Sequence, residues 1–396
     1  MKREVKQIKL SELHPYEQNA KKHTEKQVKQ VAASIKRFGF NQPLVVDKNN
    51  EIVVGHGRYL AAQTLGLQEA PCIKIEDLTQ EEVEAYRLAD NKLNESDWDM
   101  GLVIEQLKYL DAQGFDIELT GFDKDLLIEP DAQDDIIPDN APTICKLGDI
   151  WQLGRHRLMC GDSTQNSTVL SLMGDKKADM VFTDPPYGVS YQEKAEKILG
   201  RKDRAVIAND GLGKDALKKI VFPAFQNIAE SLKSGGCYYV CSPQGGELGL
   251  MMMMMMMMDA GIEARHMIVW AKDRAVFSMG RLDYDYQHEP ILYGWRGSHK
   301  HIGNGQFKTS VWSIPNPRAS KLHPTMKPVE VMQNAILNSS KEEDIVLDLF
   351  GGSGSTLIAC EKTNRICYMM ELDEKYCDVI IKRWEDYTGS KAEKIV

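Results

Sequence analysis

The tetrapeptide Asp184-Pro185-Pro186-Tyr187 contains the residue types needed to hold an amino group attached to a planar ring. A β-forming run, residues 178–183, precedes it and predicts that Asp184 lies at the carboxyl end of a strand, where α/β sheets bind ligands. The two prolines fix an extended backbone and remove two N–H donors. The Asp184 carboxylate and the Pro185 carbonyl can therefore both accept hydrogen bonds from one amine, beside the aromatic face of Tyr187.

This arrangement predicts activation of an exocyclic amine. Such an amine is a poor nucleophile because its lone pair is delocalised into the ring. Two acceptors would draw the nitrogen toward tetrahedral geometry and localise that lone pair, so that catalysis rests on positioning and electrostatics. No metal-ligand cluster accompanies the motif, and no metal is expected. The alternative is a plain proline turn after a strand, which leaves the flanking Asp184 and Tyr187 unexplained.

A second motif follows the apolar run at residues 345–347 and leads into a predicted helix. It is the glycine-rich stretch 348–356, Asp-Leu-Phe-Gly-Gly-Ser-Gly-Ser-Thr. Glycines allow a tight turn and a close approach to a ligand, and a helix N-terminus offers free N–H groups. Glu371 stands 23 residues after Asp348, at the end of the next predicted strand, where an acid can accept hydrogen bonds from ribose hydroxyls. Alone, the glycine turn would favour dinucleotide binding.

Together, the Asp-Pro-Pro-Tyr motif and Phe350-x-Gly352-x-Gly354 resemble the amino-group DNA methyltransferases, which act on adenine N6 or cytosine N4. The catalytic motif precedes the cofactor motif, an order similar to that of the beta class, and the resemblance covers residues 146–389. It implies S-adenosylmethionine as the cofactor and double-stranded DNA as the partner, with the target base flipped out of the helix. Aspartate at the first motif position implies adenine, with cytosine N4 as the alternative. The implied catalytic residues are Asp184, Pro185, Pro186 and Tyr187, and the implied cofactor contacts are Asp162, His323, Thr325, Lys327, Asp348, Phe350, Gly352, Gly354 and Glu371.

Charge is unevenly distributed along the chain, whose net charge is −9. Residues 75–140 contain 20 Asp and Glu against four Lys and Arg, whereas residues 264–327 contain ten Lys and Arg against four Asp and Glu. A local basic surface can bind phosphate even on an acidic chain, although an ordinary solvated face has the same composition. The basic stretch lies between the two motifs, and its aromatic residues 284, 286, 295 and 312 are expected to pack in the core or to stack on bases. The candidate phosphate contacts are Lys272, Arg274, Arg281, Arg296 and Lys300.

The N-terminal segment resembles ParB-like domains. The resemblance rests on residues 41–46 (Asn-Gln-Pro-Leu-Val-Val), Gly55-His56-Gly57-Arg58, and residues 87–92 (Arg-Leu-Ala-Asp-Asn-Lys). Glycines and an arginine at a helix start predict an anion site, with a structural turn as the alternative. The resemblance implies that the ligand is a nucleotide or DNA. His56 stands where partition proteins often carry an acid, so nucleotide hydrolysis and nuclease action are not implied. The fusion resembles those carried by phages and prophages.

The elements that must position these motifs divide into two sets. Thr24-x-x-Gln27 and Thr79-x-x-Glu82 are capping boxes that predict helix starts in a small α/β domain over residues 1–128. Residues 129–144, with three prolines and five acids, predict a linker. Over residues 145–391, strands alternate with helices, which predicts a doubly wound, mainly parallel, Rossmann-like sheet. Eight methionines at residues 251–258 predict only a helix.

Composition excludes several classes of protein. No apolar run approaches the roughly 20 residues that span a bilayer, and no secretory signal is present, so a cytoplasmic protein without a membrane partner is expected. The eight cysteines include no Cys-x-x-Cys pair and are expected to be reduced. Two other functions use the same features: methylation of RNA or a protein glutamine, and a DNA-binding, partition-like adaptor with an inactive methyltransferase half. The sequence carries no prediction of oligomeric state.

Overall fold

A computed structural model describes residues 3–19, 21–93, 98–131, 133–138, 140–187, 214–244, 249–276, 284–299, 302, 309–315 and 326–396. These residues form two compact units, Met1–Ile128 and Glu129–Val396. Among them, no helix is both long enough and apolar enough to cross a membrane.

The first unit is a four-stranded sheet packed with helices. Its strands lie in the order β1-β4-β2-β3, with β2 and β4 parallel and the other neighbours antiparallel. Its elements are β1 (Val5–Lys9), α1 (Glu25–Phe38), β2 (Leu44–Val46), β3 (Ile52–Val54), α2 (His56–Thr64), β4 (Glu69–Lys74), α3 (Gln80–Leu93) and α4 (Met100–Ala112).

Two of its helices begin at the capping boxes that the sequence contains. The Thr24 hydroxyl accepts a hydrogen bond from the Gln27 amide at 3.2 Å, and α1 starts at the next residue. At α3, the Thr79 amide donates to the Glu82 carboxylate at 2.8 Å, while the Glu82 amide donates to the Thr79 hydroxyl at 3.3 Å. The single bond at α1 and the reciprocal pair at α3 satisfy amides that a helix start leaves without intrahelical partners, which confirms both predicted starts.

The second unit is built on one large mixed sheet. Its elements are β5 (Ile150–Leu153), β6 (His156–Cys160), α5 (Asn166–Met173), β7 (Ala178–Thr183), α6 (Lys214–Ser231), β8 (Leu232–Cys241), α7 (Leu250–Asp259), β9 (His266–Val276), β10 (Tyr286–Trp295), β11 (Val311–Ser313), α8 (Val329–Ser339), β12 (Ile345–Asp348), α9 (Ser355–Lys362), β13 (Ile366–Glu371), α10 (Glu374–Thr388) and β14 (Glu393–Lys394). The strand order is β11-β9-β10-β8-β7-β12-β13-β6-β5-β14.

The centre of this sheet confirms the predicted doubly wound class. Strands β8, β7, β12, β13 and β6 are parallel neighbours. In the strand order, β7 is followed along the chain by its neighbour on one side, β8, whereas β12 is followed by its neighbour on the opposite side, β13. The carboxyl ends of β7 and β12 therefore form a switch point, where open α/β sheets leave a crevice for ligands.

Residues 129–144, which the sequence predicts to be a linker, belong to the second unit. Asp134 is buried, forms an ion pair with Lys362 and accepts a hydrogen bond from the Tyr387 hydroxyl at 3.2 Å. The Asp135 carboxylate accepts a hydrogen bond from the Val329 amide at 2.8 Å, at the start of α8. Two of the five acids, Asp134 and Asp135, are thus held by partners distant in sequence, so at these positions the segment is not the solvated linker that was predicted.

The methionine run forms α7, as predicted. Met253, Met256 and Met257 are buried, whereas Met251 and Met258 are exposed. A uniform run still has one buried and one exposed face, because helical geometry determines which thioethers reach the core.

Candidate active site at the carboxyl ends of β7 and β12

The Asp-Pro-Pro-Tyr motif begins directly after the last residue of β7. The Tyr187 hydroxyl donates to Oδ1 of Asp184, and the Lys327 ammonium contacts Oδ2 of the same carboxylate. The Asp184 side chain keeps 29% of its surface exposed. The motif therefore presents a carboxylate that is oriented by a hydroxyl, paired with a cation and still open on one side.

Lys327 belongs to a chain of four charged side chains. Its own side chain is only 6% exposed, and its ammonium lies 3.4 Å from Oε2 of Glu289 as well as against Asp184. Oε1 of Glu289 lies 2.5 Å from the ammonium of Lys272. Burial alone would lower the pKa of Lys327, but Asp184 and Glu289 hold that pKa well above its ordinary value. Lys327 is therefore a permanently charged group between two carboxylates.

Asp348, the last residue of β12, is buried and fully engaged with the protein. Its carboxylate accepts hydrogen bonds from the hydroxyls of Thr183 (2.9 Å) and Thr356 (2.7 Å) and from the Phe350 amide (3.1 Å). Burial raises the pKa of Asp348 to about 7. This acid joins the end of β7 to the glycine-rich loop and to α9, so it positions both motifs.

Glu371 ends β13 beside the glycine-rich loop. Its Oε2 accepts a hydrogen bond from the Gly352 amide at 2.8 Å, and its Oε1 accepts one from the Asp373 amide at 2.9 Å. Burial raises the pKa of Glu371 to about 7, although these amides act in the opposite direction. Each carboxylate oxygen retains a lone pair for a ligand. Gly354 caps α9 with a φ of 85°, a left-handed conformation that glycine adopts without strain.

A cavity of about 420 Å³ connects these groups, a size typical of ligand pockets. Its walls include Asp184, Lys327, Asp348 and Glu371. Other predicted cofactor contacts that line it are Asp162, Phe350 and Gly352, while Gly354 caps the adjoining helix. His323 and Thr325 lie outside the described residues.

The structure adds residues that the sequence reasoning missed. Ser163, Lys219 and Tyr376 also line the cavity, and Glu289 joins the charged chain. One signal could have identified the burial of Lys272, because it stands two residues after Trp270 on β9 and thus on the same face of the strand. Trp270 is buried, and Lys272 lies 4.8 Å from its ring.

The structure places the predicted phosphate contacts in different environments. Lys272 is buried against Glu289, so its prediction as a phosphate contact is wrong. Arg296 is exposed directly after β10, where it donates to the Leu232 carbonyl at 2.5 Å, and its role as a phosphate contact stays a prediction. Arg274 is exposed near the end of β9 and stays a prediction. Arg281 and Lys300 lie outside the described part of the chain.

The aromatic residues of the basic stretch divide between core and surface. Trp312 is buried in the core, Trp295 is partly buried under the guanidinium of Arg265 at 4.8 Å, and Tyr284 is 83% exposed. Tyr286 is also exposed. Of these four aromatic residues, only the two tyrosines are therefore exposed enough to stack on a base.

The Gly-His-Gly-Arg motif of the first unit opens α2, as predicted. Gly55 has a φ of 104°, and a Cβ there would lie 2.7 Å from the Leu44 side chain, so the position requires glycine. Burial, with the charge of Arg87 and then His23, lowers the pKa of His56 to about 4, and its Nε2 accepts the Tyr16 amide at 3.2 Å. The four residues of the motif line a second cavity, within the first unit, which measures about 600 Å³.

Two family matches cover most of the chain. Residues 178–383 match the family of N6 and N4 enzymes described as DNA methylase. Residues 1–92 match the family described as ParB N-terminal domain. Both motifs of the candidate active site lie within the first of these ranges.

Individual relatives follow the same division. Type II methyltransferase M.HinfI of Haemophilus influenzae is 26% identical over 238 residues, which is 54% of this chain and 65% of that protein. ParB-like nuclease domain-containing protein YnaK of Escherichia coli (strain K12) is 44% identical over 73 residues, 18% of this chain and 84% of that protein. Among solved structures, the M1.HpyAVI–SAM complex aligns with 57% of this chain and 97% of that chain, at 20% identity and a TM-score of 0.42.

Proposed function

Because this chain belongs to the N6 and N4 DNA methylase family, we propose that it transfers a methyl group from S-adenosylmethionine to the exocyclic N6 of adenine in double-stranded DNA. In this proposal it is a modification enzyme of the type II kind, like the curated relative from Haemophilus influenzae. One observation carries the proposal: the Asp184 carboxylate and the Glu371 carboxylate line the same cavity, at the switch point of the sheet.

The chain's own residues can prepare the amine. Hydrogen bonds from Tyr187 and Lys327 fix the Asp184 carboxylate, while the prolines hold the adjoining Pro185 carbonyl in a rigid backbone. Two fixed acceptors cost no reorganisation when the amine arrives, which is the source of most electrostatic catalysis. Tyr187 stays protonated, because burial and then Asp184 raise its pKa well above the ordinary value.

The cavity also fits the proposed cofactor. Glu371 has free lone pairs for ribose hydroxyls, and the α9 start and Gly352 bring backbone close to the cavity. Asp162, two residues after the end of β6, lines the same space and could accept a hydrogen bond from an adenine amine. S-adenosylmethionine bound there would supply a methyl group carried on a sulfonium. Its transfer to the amine nitrogen would leave S-adenosylhomocysteine as the thioether product and one proton released to solvent.

Cofactor affinity is expected to rise with pH up to about 7 and then level off. The pKa of Glu371 is raised to about 7, so the carboxylate is ionised above that pH and increasingly protonated below it. A protonated carboxyl loses acceptor capacity for a ribose hydroxyl, so affinity falls by up to about tenfold for each pH unit below the pKa. Isothermal titration calorimetry with S-adenosylmethionine between pH 5.5 and 8.5 measures this slope.

The control for that measurement is Glu371→Gln, which does not titrate and is expected to give a flat profile. Asp348 also has a pKa of about 7, but it accepts three hydrogen bonds from protein donors and holds the two motifs together. A slope that persisted in Glu371→Gln would assign the titration to Asp348 and contradict the role given to Glu371.

We propose adenine rather than cytosine because aspartate occupies the first position of the motif. In the family that the chain resembles, this residue implies adenine. The alternative within the same chemistry is cytosine N4, since both bases present a planar amine to the same acceptors. The adaptor alternative is disfavoured because a chain that only bound DNA would not need Asp184, Tyr187 and Lys327 in contact.

The class of substrate is tested by transfer of labelled methyl from S-adenosylmethionine. Purified protein is incubated separately with unmethylated genomic DNA, total RNA and a protein extract. Label is expected in DNA, and Asp184→Ala is expected to remove it. Label in RNA or protein at a higher rate than in DNA would contradict the proposal.

For the first unit, we propose that the cavity at Gly55–Arg58 binds the phosphates of a nucleotide. Arg58 donates to the Gln42 amide oxygen at 2.5 Å and lines the cavity together with the start of α2. Neutral His56 lies beside it, where a carboxylate would repel an anion.

Arg58→Ala is expected to weaken binding of nucleoside triphosphates at least about tenfold, because one charged phosphate contact is lost. Each of the four common triphosphates is titrated and followed by calorimetry. Arg3→Ala is the matched control, since Arg3 forms an exposed ion pair with Asp77 in the same unit. Equal binding by both variants would leave the motif as a structural turn.

A further inference from the structure

In the charged chain at the active site, Lys327 and the target amine compete for the same carboxylate. Lys327 contacts Oδ2 of Asp184, the carboxylate that must receive the target amine in the proposed reaction. A methylated amine carries a positive charge until it loses a proton. An ammonium held against the same carboxylate opposes that developing charge, because like charges repel strongly in a partly buried site. In this arrangement Lys327 occupies the Asp184 oxygen that would accept a hydrogen bond from the amine.

A second acceptor for Lys327 lies within reach. Oε2 of Glu289 is 3.4 Å from the Lys327 ammonium, a separation that a small side-chain movement would close to a hydrogen bond. Glu289 lies on β10, a strand in the packed sheet, and does not belong to the Asp-Pro-Pro-Tyr motif. The lysine therefore has two carboxylates between which it can shift while it stays paired.

Lys272 holds that second acceptor in place. It lies 2.5 Å from Oε1 of Glu289, is 7% exposed and packs over the Trp270 ring. Although burial alone would raise the pKa of Glu289, Lys327 and Lys272 lower it below its ordinary value, so that Glu289 stays ionised. The four groups Lys272, Glu289, Lys327 and Asp184 carry two charges of each sign.

We propose that Glu289 is a positioning residue that takes Lys327 from Asp184 when the target amine enters, which leaves the Asp184 carboxylate free to face the amine. This inference rests on the proposed methyl transfer and adds to it a residue that acts through Lys327. After the shift both lysines lie beside Glu289, and the Asp184 carboxylate, which is 29% exposed, accepts hydrogen bonds from the amine in place of the ammonium. Without Glu289, the same movement would leave an ammonium in a buried site with no counterion, which is strongly unfavourable.

The test compares single-turnover methyl transfer to unmethylated genomic DNA by wild type, Glu289→Gln and Glu289→Gln/Lys327→Met. We expect Glu289→Gln to transfer methyl at least about 100-fold more slowly, with the dissociation constant for S-adenosylmethionine changed less than about threefold. The double variant is expected to be at least about tenfold faster than Glu289→Gln alone, because no ammonium then blocks Asp184. A residue with only a structural role would not produce this recovery.

Glu263→Gln is the matched control, since Glu263 is exposed and forms a loose ion pair with Arg265 at 3.7 Å. A wild-type rate in Glu289→Gln, or a double variant no faster than the single one, would overturn the proposal. A loss of cofactor affinity as large as the loss of rate would assign Glu289 a structural role and would also overturn it. If wild type itself transferred no methyl to DNA, the proposed function would fail first, a result that these variants do not mimic.

Discussion

Exchange of Asp184 for alanine is expected to slow methyl transfer to DNA by on the order of 100- to 1,000-fold, the effect of removing one preorganised hydrogen-bonding group from an active site. Asp184 is the acceptor that the amine meets, and it is also the partner of Tyr187 and Lys327. The measurement is the single-turnover rate with labelled S-adenosylmethionine, because that rate reports the transfer step without product release.

The variant should keep its fold and its cofactor. Lys327 still has the Glu289 carboxylate at 3.4 Å, so the substitution does not strand its charge, and Glu371 is untouched. The dissociation constant for S-adenosylmethionine should therefore change less than about threefold, by analogy with interactions made only in the transition state. Asp175→Ala, an exposed aspartate just before β7, is the matched control and should transfer at the wild-type rate. Transfer by Asp184→Ala at a rate within a few-fold of that control would remove Asp184 from the mechanism.

The second large effect is expected from Glu371→Ala, which should weaken binding of S-adenosylmethionine by about 100-fold, since hydrogen bonds to a charged acceptor contribute about 1.5–3 kcal/mol each. The substitution also removes the acceptor for the Gly352 and Asp373 amides and so loosens the glycine-rich loop. Calorimetric titration of the protein with the cofactor measures the effect directly.

Glu371→Gln separates these two contributions. It keeps one side-chain oxygen as an acceptor, and we expect its affinity to fall by about tenfold only. Glu393→Ala, on the exposed strand β14, is the control for the loss of a glutamate from the same unit. If Glu371→Ala bound the cofactor as tightly as Glu393→Ala, Glu371 would not contact the ribose, and the cavity would have to hold its ligand in another way.

Local sequence signals predicted the elements well. The capping boxes at Thr24 and Thr79 act over three residues, so their hydrogen bonds can be inferred from the sequence alone. The placement of Asp184 and Glu371 at strand ends also follows from local patterns, since each acid ends an apolar run. The parallel arrangement of the sheet followed from the alternation of strands and helices.

Contacts between distant residues could not be predicted in this way. Lys327 and Asp184 are 143 residues apart, and Lys362 and Asp134 are 228 residues apart. Because of the first separation, the pairing of Lys327 with Asp184 could not be predicted. Because of the second, the acids of residues 129–144 were read as solvated. Lys272 was predicted to contact phosphate because it lies in the basic stretch of residues 264–327, whereas its side chain in the strand packs against Trp270 and Glu289. Charge in a sequence identifies an ionisable group, but only the fold determines its counterion.

The reaction proposed for the Asp184 site is methylation of the exocyclic amine of adenine in DNA. Its most direct test is to incubate the protein with unmethylated genomic DNA and S-adenosylmethionine that carries a deuterated methyl group. The DNA is then digested to nucleosides, which are identified by mass spectrometry. We expect deuterated methyl on N6 of deoxyadenosine, and none when Asp184→Ala replaces the wild type. Deuterated methyl on N4 of deoxycytidine would contradict the choice of base, and unlabelled DNA after incubation with a wild-type protein that binds the cofactor would contradict the claim itself.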